Sequence, residues 1–280
     1  MKTLIRLSAI LAVFLLASCA ESVEEQAARS LQSAREAFER GNYQDAKNEL
    51  DSLKILYPKA FDARREALKL MREVELAEQQ QNRLCLDSLI AAKQAELETM
   101  LKSGFTFEKD EKYQEIGNFM VASQAPMKNL NNTYLRGQVD ENGVMTVTSI
   151  YKGSPISHDK VKVSSGDNYA ESANPISKYT SKHLGVTTER VDFRFGKDEG
   201  IIGFIVLNAD KNIKVELIGE KKSHSYKMRK EDVKAIKSLY ELSVVLRTIK
   251  ELEASRQEAE RHIEFVKRNQ QRDQQQNTAE

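Results

Sequence analysis

Residues 61–103 read FDARREALKLMREVELAEQQQNRLCLDSLIAAKQAELETMLKS, and neither glycine nor proline interrupts them. A stretch this rich in Glu, Lys, Gln, Ala and Leu, with no residue that frees or blocks the backbone, reads as one helix. At 1.5 Å per residue it would run about 60 Å. Ala67, Leu70, Val74, Ala77 and Leu84 recur at spacings of three, four or seven, and the stripe then shifts to Leu86, Ile90, Leu97 and Met100. A single apolar stripe on a charged helix needs a partner to cover it. The chain offers one from about Glu231 to Gln270, where Leu239, Leu242, Leu246, Ile249, Leu252, Ala259, Ile263 and Val266 recur in the same way. The expectation is that the arms, residues 60–103 and 229–270, pair as an antiparallel coiled coil.

Between the arms the composition changes. Eleven of the twelve glycines lie from Gly104 to Gly219, and Pro126, Pro155 and Pro175 fall in the same stretch. Turn formers at this density predict a β domain over 104–228. Phe105 and Phe107 alternate with polar neighbours. Tyr134 to Val139 and Val144 to Tyr151 flank Asn142-Gly143, which predicts a hairpin. Val191, Phe193 and Phe195 alternate with Asp192 and Arg194, as do Ile213, Val215 and Leu217 with their neighbours. Ile201 to Leu207, apolar on both faces, reads as a central strand. The serine-rich stretch from Ser154 to Ser181 has the composition of long loops. The fold class expected is α+β, an antiparallel β-sandwich or open barrel inserted between helices.

The 280 residues carry 43 Lys+Arg against 42 Asp+Glu, with 40% hydrophobic residues. Charge balance excludes nucleic acid as the expected partner, since displacing phosphate counterions takes a basic excess. A mean hydropathy of −0.56 excludes a polytopic membrane protein. Two cysteines are too few for a disulfide framework.

The chain opens with a short basic segment holding Lys2 and Arg6, then an apolar run from Leu7 to Leu16. About ten apolar residues are too few to span a bilayer core, so residues 1–18 read as a secretory signal. Leu16-Ala17-Ser18-Cys19 resembles the lipobox of bacterial lipoproteins. That resemblance implies cleavage before Cys19, a diacylglycerol thioether on it and a further amide-linked acyl chain. Ala20 at the next position resembles the outer-membrane sorting class. Lipidation would leave Cys85 as the one remaining thiol, expected to be buried and inert between Leu84 and Leu86.

Residues 19–59 contain Gly41-Asn42-Tyr43-Gln44-Asp45-Ala46 and then Pro58, with Ala34 upstream. These spacings resemble a single tetratricopeptide repeat, a helical hairpin in which Ala34 is the small residue the first helix needs, Tyr43 and Ala46 begin the second helix, and Leu50 and Leu53 face inward. The pattern does not recur, so no tandem peptide groove is expected. Residues 271–280, rich in Gln, read as a disordered tail.

No constellation predicts catalysis, metal binding or a cofactor. His158, His183, His224 and His262 lack metal-ligand spacing and read as single surface or partly buried histidines. Asn208 to Gly219 begins like a calcium loop, but Ile213 and Gly219 stand where glycine and glutamate belong. His158-Asp159 with Ser154 or Ser157 could be drawn as a hydrolytic set, though sequence neighbours on a loop rarely take triad geometry. Lys160 and Lys162, with Tyr151, Tyr169 and Tyr179, make a basic aromatic region that could hold a glycan or form a solvated face. The function expected is a non-catalytic envelope lipoprotein, anchored through Cys19 and acting as scaffold through protein contacts. Glycan or nutrient capture is the first rival and hydrolysis the second.

Overall fold

The computed structural model describes residues 22–102, 104–183 and 185–277, so the expected signal segment and Cys19 lie outside the described residues. The described chain is α+β, with five helices and two antiparallel sheets. It divides into two compact units, one holding residues up to Asp87 together with those from Ser255 onward, the other Ser88–Ala254.

The first unit opens with α1 (Val23–Glu39). The Ser22 hydroxyl accepts the Glu25 N–H at 3.2 Å while the Glu25 carboxylate accepts the Ser22 N–H at 2.8 Å. This reciprocal cap satisfies two amides that no helical carbonyl can reach. Those bonds also hold the Glu25 carboxyl below its ordinary pKa. Gly41, at φ +75°, ends the helix. Its N–H donates to Phe38 and that of Asn42 to Ala37, the bond pair that closes a helix through a left-handed residue. Then follow α2 (Tyr43–Leu56) and α3 (Phe61–Leu101). Ala27, Ala34, Ala37, Ala46, Leu50, Leu53, Ala63, Ala67, Leu70 and Val74 form the core between them. Leu50 and Leu53, the inward positions expected of the hairpin, are buried here.

The last helix, α5, runs from Lys230 to Asn277. In the first unit it meets α3 through ion pairs Asp87–Arg256, at 3.6 Å, and Arg72–Asp273. One number falls as the other rises, so these segments run antiparallel.

In the second unit the strands are β1 (Phe105–Glu108), β2 (Asn118–Val121), β3 (Tyr134–Asp140), β4 (Met145–Gly153), β5 (His158–Ser165), β6 (Asn168–Ser172), β7 (Ser177–His183), β8 (Val186–Arg194), β9 (Lys214–Gly219) and β10 (Ser223–Lys227). One sheet has the order β1-β2-β3-β4-β8-β7 and the other β10-β9-β5-β6. The expected hairpin is β3–β4, with Val139 opposite Met145. Its turn rests on α5, where the Ser243 hydroxyl donates to the Gly143 carbonyl at 2.7 Å.

Both sheets share one core, to which α5 contributes Val233, Ile236, Leu239 and Leu242. Leu97, Met100 and Leu101 of α3 pack against the same core. The compact unit therefore reaches beyond the glycine-rich stretch on both sides. A buried polar group fixes the start of α5: Gln124 donates to Asp232 at 3.2 Å and Arg229 to the same carboxylate at 2.7 Å.

The structure corrects four expectations. Ile201–Leu207 is a short helix, α4, not a strand. Asp198 caps it, its carboxylate accepting the Ile202 N–H at 2.8 Å, and Ile201, Ile202 and Ile205 are buried on one helical face. The stretch from Ser154 to Ser181 is not loop but holds β5, β6 and most of β7, with Val161 and Val163 buried. Cys85 is exposed, because the covered side of α3 there passes through Leu86 and Ile90 while Leu84 is exposed too. Helix α5 continues to Asn277 where a disordered tail was expected from 271, and residues 278–280 lie outside the described part.

Candidate functional site

Three places hold the chemistry that a function could use. The first lies where the chain leaves the six-stranded sheet at Gly153 and enters the four-stranded sheet at His158. This crossing bends sharply, with Ser157 in the left-handed region at φ +53°. Three of its amides turn toward one carboxylate. Glu189 of β8 accepts the N–H groups of Ile156, Ser157 and His158 at 2.9, 2.8 and 3.0 Å. It also takes the His158 Nδ1–H at 2.7 Å. The far ring nitrogen, Nε2, lies 2.9 Å from the Ser149 hydroxyl. A carboxylate can only accept, so Nδ1 carries the proton and Nε2 accepts from Ser149.

Electrostatics agree with that assignment. Burial holds His158 below its ordinary pKa of 6.5, against the pull of Glu189 toward the charged form. Burial would raise the Glu189 carboxyl, but the His158 bond and the three amides outweigh it and hold it below 4.5. The pair is thus a neutral imidazole on an ionised carboxylate.

The connectivity is that of a serine–histidine–acid triad. Its surroundings are not. Ser149, His158 and Glu189 are 0%, 2% and 3% exposed, so a substrate carbonyl has no approach to the hydroxyl. His158 is therefore neither a surface nor a partly buried single histidine, as expected, but a buried link between strands. Ser154, Ser157 and Asp159 play no part in its side-chain bonds: the Ser154 carbonyl accepts from Tyr151, and Asp159 pairs with Lys178 at 3.1 Å. His183 is exposed.

The second place is the basic aromatic region. The structure brings together only part of it. Lys162 of β5 lies over the Tyr169 ring of β6 at 4.1 Å, and Lys160 stands exposed two residues along the same strand. Tyr179 is exposed on β7, at the edge of the other sheet. Tyr151 is buried in the core, its ring 5.2 Å from His224 and its hydroxyl donating to the Ser154 carbonyl at 2.9 Å. The five residues do not form one site. A polar hollow of about 730 Å³ lies elsewhere, at the β1–β2 loop and β3, lined among others by Glu108, Asp110, Asn118, Arg136 and Gln138. Arg136 Nε is buried there without a hydrogen-bond partner among the described residues.

The third place is in the first unit. A groove of about 500 Å³ between α2 and α3 is lined by Leu50, Leu53, Phe61, Ala67, Leu68 and Met71. Phe61 is 70% and Leu68 55% exposed, and Ile55 and Leu56 at the end of α2 are 75% and 65% exposed. Lys54, Arg64 and Arg65 stand on the rim of the groove with Asp51.

Sequence reasoning found Leu50 and Leu53 but not the groove they floor. Phe61 and Leu68, at a spacing of seven on α3, were the available signal. Glu189 and Ser149 could not be found without strand register, since 31 and 9 residues separate them from His158.

Among the described residues no three of His, Cys, Asp and Glu gather as metal ligands, and no helix is long and apolar enough to cross a membrane. No family model, curated protein or solved structure matches the chain.

Proposed function

We propose that the protein is a non-catalytic cell-envelope lipoprotein, anchored through Cys19, that carries its β unit on two helical arms and acts as a scaffold for other envelope proteins. The observation that carries the reading is the open groove between α2 and α3, lined by Phe61 and Leu68, two large apolar side chains turned to water. Leaving them uncovered is unfavourable by about 25 cal/mol per Å² of apolar surface, which a protein partner recovers. The sealed Ser149–His158–Glu189 chain supports the absence of hydrolysis, because its hydroxyl cannot meet a substrate.

Pairing of α3 with α5 as an antiparallel coiled coil belongs to the same proposal. The two ion pairs between them support it, as do the buried Ala259, Ile263 and Val266 at spacings of four and three. The lipobox, with Ala20 after the cysteine, favours the outer membrane.

Photoreactive residues placed at Leu68 and at Tyr169 in intact cells test the reading. Discrete protein adducts at Leu68 are the result expected. Absence of adducts at both positions would overturn it.

A second reading, capture of a small polar ligand such as a glycan, is favoured by the hollow around Arg136. Amides, carboxylates and a guanidinium converge there, the groups that bond to sugar hydroxyls. Calorimetric titration of the purified chain with glycans, and its loss in Arg136→Ala, tests this.

A further inference from the structure

The groove between α2 and α3 continues a surface that the chain itself covers further along α3. Phe61, Arg65, Leu68 and Arg72 follow one another at spacings of four, three and four, and Leu86 lies fourteen beyond Arg72 on the same side of the helix. Over the far part of this stripe lies α5, since Asp87 pairs with Arg256 and Arg72 with Asp273, and Leu86 is buried. One turn before Arg72 the stripe lies open among the described residues. Leu68 and Phe61 are exposed, though they belong to the stripe that a helix occupies elsewhere.

The shape of the opening selects its occupant. Two neighbouring helices present ridges of side chains three and four apart, and the furrow between them accepts the ridges of a third helix. Charge selects further. The rim carries Lys54, Arg64 and Arg65 against one acid, Asp51. Arg64 spends one hydrogen bond on the Pro58 carbonyl and Arg65 lies 3.9 Å from Asp62, yet both keep their charge at the rim. An incoming helix flanked by Lys or Arg would meet like charge there, and one flanked by Asp or Glu would meet its complement. Two-fold pairing of two copies through this groove would set basic rim against basic rim, which argues against a second copy.

We infer that the open end of this stripe docks an amphipathic helix of a partner protein whose apolar face is flanked by Asp and Glu. The inference rests on the scaffold reading above and adds the chemistry of the partner.

Two labelled helical peptides of about 18 residues, or five turns, test it against the full mature chain. They share one Leu/Ile stripe and differ only in flanks, Glu in one and Lys in the other. The expected result is about tenfold tighter binding of the Glu peptide by fluorescence anisotropy. Leu68→Glu should weaken that binding about tenfold with an unchanged thermal melt. Lys54→Glu with Arg64→Glu and Arg65→Glu should reverse the preference. Equal binding of both peptides, no binding, or indifference to Leu68→Glu would overturn the inference. So would a dimer in sedimentation equilibrium that Leu68→Glu dissolves, which would give the groove to a second copy. In cells, adducts from photoreactive residues elsewhere on the chain that persist in Leu68→Glu would leave the scaffold reading standing while the groove inference fell. Absence of adducts at every position in the wild-type chain would remove both.

Discussion

Glu189 does at the scale of one residue what a loop cannot do for itself. A chain crossing between sheets presents amides that no strand pairs, and each buried amide left unpaired is unfavourable by about 1–3 kcal/mol. The carboxylate gathers three of them and the His158 ring. Its cost is a pH dependence with a definite sign. His158 titrates near 6.5 in the unfolded chain and lower in the folded one, so the unfolded state binds more protons as pH falls. The stabilisation is complete above about 6.5 and declines as pH drops toward the folded value. Glu189, also lowered, adds a loss of the same sign beginning below 4.5. The urea midpoint of the native chain should therefore fall between pH 7 and pH 5, and His158→Gln should flatten that slope. Equal slopes would contradict the account.

Tyr226 gives the opposite case. Its hydroxyl is buried with no hydrogen-bond partner among the described residues, and burial pushes its pKa far up. Removing a polar group that bonds to nothing removes a desolvation penalty. Tyr226→Phe should leave stability unchanged or raise it by about 1 kcal/mol, read from urea denaturation. A loss of similar size would show a partner for that oxygen.

At the scale of elements, the same crossing demands a glycine on its neighbour strand. A Cβ on Gly219 would fall 2.0 Å from the Ile156 carbonyl oxygen, and the nearest atoms it would meet are backbone of Ile156 and Ser157, with no side chain to yield. Gly219→Ala should destabilise by about 2 kcal/mol or more, with the loss visible in the thermal midpoint. Unchanged stability would mean that the crossing is looser than described.

How far elements were legible depended on what distinguishes them chemically. The β3–β4 hairpin was legible because Asn142-Gly143 supplies a turn that few other residues allow. Ile201–Leu207 was not, since seven apolar residues carry no period that separates strand from helix. What decided it was Asp198, a cap set before the run and sealed in place. Strand β5 was hidden because Ser and Lys on its outer face outnumber the two valines on its inner face. The groove was half legible: Leu50 and Leu53 were read as inward, but Phe61 and Leu68 gain meaning only once α5 is seen to cover the same stripe further on.

At the scale of the whole molecule, the proposed function requires an acylated N-terminus and a helical unit that binds a partner. The lipobox makes its own prediction. Cys19→Ala should abolish incorporation of labelled palmitate in cells and leave the precursor uncleaved, because both steps need the thiol. Labelling that persisted would place the anchor elsewhere.

The central claim is that the protein works by holding other proteins, and the mass of the species that contains it tests this most directly. Extracted from cells in mild detergent, the chain should run as a complex well above the mass of one mature chain with its detergent, and Leu68→Glu should return it to that mass. A wild-type chain that is already alone, while retaining a bound glycan through purification, would contradict the claim.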